Sequence, residues 1–220
     1  MAFDTYLKGI RDKENINQTQ MAKILDISRT AIKLIENGST KYPSKKVLHN
    51  LANYLNQSEI DVMAKILFTD IPLDDKSSGE YFICSYLTYM YLEGWNINDH
   101  PYIYPVWQGK SIEFEGRITK KRQPKNTMIV ATYQSELYRF KKVSSKEDAL
   151  GYIGDFVSKL MTVLDEFRGV ILLFNGLDEY ECQVFNIFKE LKLNRTTFDF
   201  EIVLYDSISS IVKTNKNLRD

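Results

Sequence analysis

Residues 17–36 constrain the fold of this chain more than any other segment, because they combine helix caps, a tight turn and buried positions at fixed spacing. Ser28 is a favoured N-cap residue directly before a helical run. Ala22 is small enough to let a second helix cross the first closely. Asp26 stands at the turn, where a positive φ is needed, and Asp adopts that conformation more readily than most residues. Ile27 supplies the buried apolar position that follows, so the segment predicts two helices crossing at a tight turn.

Apolar residues recur at helical spacing through residues 1–68 and define five faces. These faces are Phe3, Tyr6, Leu7 and Ile10; Met21, Ala22 and Leu25; Ala31, Ile32 and Ile35; Val47, Leu48, Leu51, Ala52 and Leu55; and Ile60, Met63, Ala64 and Leu67. Helix starts are indicated at Asn17, Ser28, Ser44 and Ser58, and breaks at Asn37-Gly38 and Pro43. The pattern predicts a compact all-α domain of five helices.

Residues 69–79 interrupt this pattern and predict a linker. They contain Pro72, paired aspartates at 74 and 75, paired serines at 77 and 78, and Gly79. Such a composition disfavours regular structure.

Residues 80–220 predict an α+β domain. A helix is expected over 81–92, and strands are expected over 102–107, 111–119, 127–133 and 137–143. Ser144 and Glu147 have capping-box spacing, and an apolar stripe then runs to Leu164. Strands over 170–174 and 200–205 flank a helix that begins near Tyr180, which predicts a βαβ unit with parallel strands. The polar tail, residues 213–220, is expected to be frayed.

The net charge of zero hides an uneven distribution. The first 46 residues carry nine Lys or Arg against five Asp or Glu, a net charge of +4, so the other 174 residues carry −4. A basic first segment favours a polyanionic partner for that segment alone.

The first segment resembles the Cro/CI-type (XRE-like) helix-turn-helix family over roughly residues 3–68. The matching residues are Leu7, Arg11, Gln18, Met21, Ala22, Ile27, Ser28, Ile32, Glu36, Asn37-Gly38, Pro43, Leu48 and Ala52. Two features depart from the family pattern: Asp26 occupies the turn position where Gly is usual, and Lys41-Tyr42 make the next loop slightly longer.

The resemblance implies that the helix of residues 28–37 lies in the major groove of DNA. The residues expected to contact bases are Arg29, Thr30, Lys33 and Leu34. Arg29 suits a guanine, whereas Leu34 can make only an apolar contact. The residues expected to contact phosphates are Gln18, Ser28, Ser39, Thr40, Lys41 and Lys45.

The C-terminal region contains no recognisable catalytic set, and we expect the protein not to be an enzyme. Asp178, Glu190 and Lys192 echo a nuclease pattern, but Glu190 and Lys192 fall at the end of a predicted helix, whereas such carboxylates hold Mg²⁺ on strands. The two cysteines, Cys84 and Cys182, form no Cys/His cluster. No metal or cofactor is expected.

These features together predict a sequence-specific transcriptional regulator, with repression favoured, that binds a palindromic operator as a homodimer through residues 80–220. The alternative is a phage or mobile-element protein whose helix-turn-helix head regulates its own gene, while the C-terminal domain inhibits another protein, as in anti-CRISPR proteins. A small ligand or a protein is left open as a partner of that domain. The sequence has no signal-peptide core or membrane-length apolar run, so a cytoplasmic location is expected.

Overall fold

The computed structural model describes residues 3–69, 71–105, 111–123, 125–133, 142–160, 167–193 and 198–219. The chain divides into two compact units, Met1–Thr88 and Tyr89–Asp220. Helix α6, Gly79–Leu92, contributes residues to both. The domain boundaries from the sequence, 1–68, 69–79 and 80–220, stay a prediction.

The first unit begins with five short helices, which confirms the predicted all-α fold. They are α1 Phe3–Lys13, α2 Gln18–Leu25, α3 Arg29–Glu36, α4 Lys45–Leu55 and α5 Glu59–Leu67. The side chains of the four predicted cap residues, Asn17, Ser28, Ser44 and Ser58, each accept a backbone N–H in the first turn of the following helix. The apolar faces meet in a core where Leu7, Met21, Leu25, Ile32 and Leu51 are fully buried.

Some of the described residues between α5 and α6 pack against the rest of the first unit. Leu73 is buried there. Asp61 on α5 is also buried, and its carboxylate accepts hydrogen bonds from Lys76 Nζ at 2.7 Å and from the Tyr81 hydroxyl at 2.5 Å. A buried carboxylate requires such donors. Because Asp61 binds residues on both sides of Ser77-Ser78, this part of the predicted linker is held in place.

The described residues of the second unit form two sheets, in agreement with the predicted α+β fold. Its strands are β1 Trp95–Asp99, β2 Tyr102–Pro105, β3 Ser111–Phe114, β4 Gly116–Lys120, β5 Thr127–Thr132, β6 Gly169–Asn175, β7 Asp199–Asp206 and β8 Ile211–Asn217. The large sheet has the order β1-β4-β5-β6-β7-β8, and β2 pairs with β3 in a separate hairpin. Strands β5, β6 and β7 are parallel, and the other pairs are antiparallel.

Two helices connect the parallel strands, α7 Lys146–Leu160 between β5 and β6, and α8 Glu179–Lys189 between β6 and β7. The second connection confirms the predicted βαβ unit. The main core of the unit includes Phe156 of α7, Phe188 of α8 and Phe174 of β6. Gly169 begins β6 where a Cβ atom would lie 2.2 Å from the Asp199 carbonyl oxygen, so only glycine allows β6 and β7 to approach this closely.

Several strands differ from the sequence prediction. The single strand expected over 111–119 is two strands, β3 and β4, which belong to different sheets and are separated at Glu115. The expectation of a frayed tail over 213–220 is wrong, because β8 pairs with β7 from Ile211 to Asn217 and Leu218 is fully buried. Strand β1 was not predicted. The strand expected over 137–143 lies mostly outside the described residues. So do the end of the strand expected to reach Trp107 and the end of the helix expected to reach Leu164.

Candidate nucleic-acid interface

Helix α2 begins with three hydrogen bonds that join Asn17 to the first turn in both directions. The Asn17 side-chain oxygen accepts the backbone N–H groups of Thr19 at 2.9 Å and Gln20 at 3.0 Å. The Gln20 side-chain oxygen accepts the backbone N–H of Asn17 at 2.8 Å. These bonds satisfy donors that the first turn of a helix otherwise leaves free. The start of α2 is therefore set by local sequence.

The turn between α2 and α3 has the conformation that the sequence predicts. Asp26 adopts φ 52° and ψ 51°, in the left-handed region, and ends α2. The backbone N–H of Ile27 donates to the Ala22 carbonyl oxygen at 3.0 Å, which closes the turn. Lys46 lies 2.6 Å from the Asp26 carboxylate, and its hydrogen bond and charge lower the pKa of Asp26. Ser28 then caps α3 through a 3.1 Å bond from the Ala31 backbone N–H.

Helix α3 has one buried side and one exposed side. Ile32 and Ile35 are buried in the core. The four side chains predicted to contact bases are all exposed on the other side: Arg29, Thr30, Lys33 and Leu34. Leu34 is 47% exposed, which is a large fraction for an apolar side chain. Because the buried side fixes the helix, these four side chains stand together on a rigid element, although their contacts with DNA stay a prediction.

Leu34 also lines a shallow, largely apolar groove of about 210 Å³ in the first unit. Ala31 on the same helix and Thr40 in the following loop line it as well. A predicted base-contacting residue, Leu34, and a predicted phosphate-contacting residue, Thr40, therefore line the same groove.

A buried carboxylate fixes the end of α3 to α1 and α2. Glu36 is 6% exposed and accepts hydrogen bonds from Arg11 Nε at 2.5 Å and from Gln18 Nε2 at 2.8 Å. Arg11 donates a further bond to the Ile16 carbonyl oxygen. Burial opposes ionisation of Glu36, but these hydrogen bonds and the Arg11 charge outweigh it and lower its pKa. The sequence comparison matched Arg11 and Glu36 to the family but did not pair them.

The predicted phosphate-contacting residues occupy three kinds of environment. Ser39, Lys41 and Lys45 are exposed. Thr40 is half-buried in the groove. The Gln18 amide and the Ser28 hydroxyl already bind protein groups, Glu36 and the start of α3. Their phosphate contacts, like those of the exposed set, stay a prediction.

Two of the three residues that echo a nuclease pattern cap the ends of α8, and the third, Lys192, lies beyond it. Asp178 caps the N-terminus of α8, and Glu190 is at its C-terminal end, where it pairs with Lys146 at 2.7 Å. The 11-residue helix between them is about 16 Å long at 1.5 Å per residue, so the two carboxylates are far apart. Within the described ranges, no three His, Cys, Asp or Glu side chains form a group that could hold a metal ion.

Two crossed helices joined by a tight left-handed turn, with polar side chains displayed on the second helix, define a helix-turn-helix DNA-binding domain. Residues 6–67 match the family model described as "Helix-turn-helix domain". This part of the chain is therefore an XRE-type helix-turn-helix domain, as the sequence resemblance predicted. The match ends before α6 and covers less than a third of the chain.

No curated protein and no solved structure matches the chain. Of the helices in the described ranges, none combines the length and the apolar character that crossing a bilayer requires.

Proposed function

We propose that the protein is a cytoplasmic, sequence-specific transcriptional regulator, most simply a repressor, that reads duplex DNA with α3. The observation that carries the proposal is the exposed side of α3, where Arg29, Thr30, Lys33 and Leu34 stand together above a buried face. Side chains near the N-terminus of a recognition helix meet base edges in the major groove. The helix-turn-helix match supports DNA as the ligand.

Each exposed side chain of α3 suits a different base-pair feature. Arg29 can donate two hydrogen bonds to O6 and N7 of a guanine. Thr30 and Lys33 can bind a base or a phosphate. Leu34 has no hydrogen-bonding group, so we assign it an apolar contact with the methyl group of a thymine, next to the apolar groove.

The operator should be palindromic, because one small domain reads only a few base pairs and a dimer would read two half-sites about 34 Å apart. We place dimerisation in residues 80–220. Three large apolar side chains in the second unit support an interaction surface there: Leu177, Ile208 and Ile211 are 46%, 61% and 56% exposed. A protein or a small ligand is a further candidate partner of this region.

The test is selection of bound genomic DNA by the full chain, followed by affinity measurements on the enriched duplex. Arg29→Ala should weaken binding by about 1–3 kcal/mol and relax preference at one position of each half-site. Lys192→Ala removes one exposed positive charge from the second unit and serves as the control. If Arg29→Ala binds the enriched duplex as tightly and as selectively as the native chain, α3 does not read DNA.

The alternative function differs in what the second unit binds. In a phage or mobile-element protein that inhibits another protein, the helix-turn-helix domain would regulate only its own promoter. Sedimentation of the full chain separates the two: a dimer at micromolar concentration supports the operator-binding proposal. A monomer, together with enrichment of the protein's own promoter alone, would favour the inhibitor.

A further inference from the structure

The turn between β4 and β5 is the most basic segment of the second unit. Residues 119–127 contain Lys120, Lys121, Arg122 and Lys125 and no acidic residue. The 174 residues that follow the first 46 have a net charge of −4, so this local charge of +4 opposes that of the surrounding sequence. We name these four side chains the basic turn.

Two lysines of the basic turn are held against aromatic rings. Lys120 Nζ lies 5.1 Å from the centroid of the Trp95 ring and donates to the Glu93 carbonyl oxygen at 3.1 Å. Lys121 Nζ lies 4.0 Å from the centroid of the Tyr91 ring. Aromatic faces attract cations, so these contacts fix the lysines without neutralising their charge. Two of the four positive charges of the turn are therefore held in position.

The other two basic side chains are Arg122 and Lys125. Arg122 and Lys125 are exposed, and neither forms an ion pair or a side-chain hydrogen bond within the described part of the chain. The Gln123 backbone N–H donates to the Lys120 carbonyl oxygen at 3.0 Å, which closes a β-turn. Arg122 occupies this turn with φ 66°. Glycine or asparagine is usual at positive φ, so an arginine there is unexpected on structural grounds alone.

We propose that the basic turn is a second DNA-binding site of the protein and that it takes the phosphate backbone of duplex DNA. The inference deepens the proposed function and rests on it, because the helix-turn-helix domain is the reason to expect DNA as the polyanionic ligand. An arginine and a lysine exposed at a turn can bind phosphate oxygens. Such contacts position a protein on the duplex but do not distinguish one base sequence from another. The turn would add affinity that does not depend on sequence, while α3 supplies selectivity.

The salt dependence of binding tests this assignment. Each phosphate neutralised on duplex DNA steepens the plot of log affinity against log salt by about 0.9. Arg122→Gly combined with Lys125→Gln should therefore reduce the slope by about 1.8. Because of this slope difference, the affinity that the variant loses relative to the native chain should be roughly 60-fold greater at about 0.1 M salt than at about 1 M. The probe is a mixed-sequence duplex of about 40 base pairs, and the protein is the full chain.

Arg122→Gly also separates binding from folding. Glycine accepts φ 66° without strain, so the urea midpoint of the variant should be unchanged or higher, although DNA binding is weaker. The control Lys192→Gln removes an exposed charge elsewhere in the second unit, and its salt-dependence slope should equal that of the native chain.

An unchanged slope and affinity in the Arg122 and Lys125 variant would overturn the inference. The proposed function would stand in that case if selective binding still depended on Arg29. Conversely, if the native chain enriches no sequence, the proposed regulator fails. A drop in slope on the mixed-sequence duplex would still support the basic turn as a phosphate-binding site.

Discussion

Glu181→Gln should stabilise the protein at pH 8 and leave its stability nearly unchanged at pH 4. Glu181 lies in the first turn of α8 and is 8% exposed. Burial is the main cause that raises the pKa of its carboxyl group, to about 7, and the nearby charge of Asp178 also raises it. A 2.6 Å hydrogen bond from the Asn175 backbone N–H acts in the opposite direction and lowers the pKa. Ionised Glu181 is therefore a cost to the folded state at neutral pH.

The size and sign of the effect follow from linkage. The pKa of Glu181 changes from an ordinary value of 4.5 to about 7 in the folded state. At 1.36 kcal/mol per pKa unit, this difference corresponds to about 3 kcal/mol of unfolding free energy. Because the pKa of this acid is higher in the folded state, that state binds more protons between these two values. Stability therefore falls as pH rises through this window, and the whole penalty is present above it. Glutamine cannot ionise, and its side-chain oxygen can still accept the Asn175 bond, so the variant avoids the penalty.

The assay is urea unfolding of the native chain and the variant at a series of pH values, with the difference in unfolding free energy plotted against pH. The difference should rise from near zero at pH 4 to a few kcal/mol at pH 8. Glu179→Gln, at an exposed position two residues away, should change stability by less than about 0.5 kcal/mol at either pH. A difference for Glu181→Gln that does not change with pH would refute the reasoning.

Two further substitutions test how the helix-turn-helix domain is held together. Glu36→Ala should lower the free energy of unfolding in urea by about 3 kcal/mol, because Arg11, which is only 17% exposed, loses its partner. Glu14→Ala removes an exposed carboxylate and serves as the control. A loss for Glu36→Ala no larger than that for the control would contradict this reasoning. Asn56→Gly should raise the urea midpoint by an amount equivalent to as much as about 1 kcal/mol, because Asn56 ends α4 at φ 52°, where glycine is unstrained. A lower midpoint for Asn56→Gly would show that the asparagine side chain stabilises the helix end.

The helices of the first unit could be predicted because their signals are local. Asn17 and Ser28 satisfy backbone donors two or three residues away, and Asp26 ends α2 by its own backbone conformation. Contacts between residues so close in sequence can be predicted from short stretches of it. The pairing of Arg11 with Glu36 is different, because it joins residues 25 positions apart and depends on how α1 and α3 pack.

The second unit was harder to predict for the same reason. The alternation of apolar and polar residues continues without interruption through Glu115, so sequence periodicity cannot show that β3 and β4 belong to different sheets. Strand β8 lies at the edge of the large sheet. It is polar at most positions because little of it is buried, and its order comes from backbone pairing with β7 and from buried Leu218. A polar edge strand and a frayed tail look alike in sequence.

The Glu36 network links the stability of the domain to its expected contact with DNA. The Gln18 amide group has two N–H donors, and Glu36 accepts only one of them at 2.8 Å. None of the described residues accepts the second N–H, so it remains for the phosphate that Gln18 was predicted to bind. The bond to Glu36 would hold the amide in place before DNA arrives. Pre-organisation of this kind reduces the ordering cost of binding. Glu36→Ala should therefore weaken DNA binding even at temperatures where the variant is fully folded, whereas Glu14→Ala should not. If folded Glu36→Ala binds the enriched duplex as tightly as the native chain, Gln18 contributes nothing through this network.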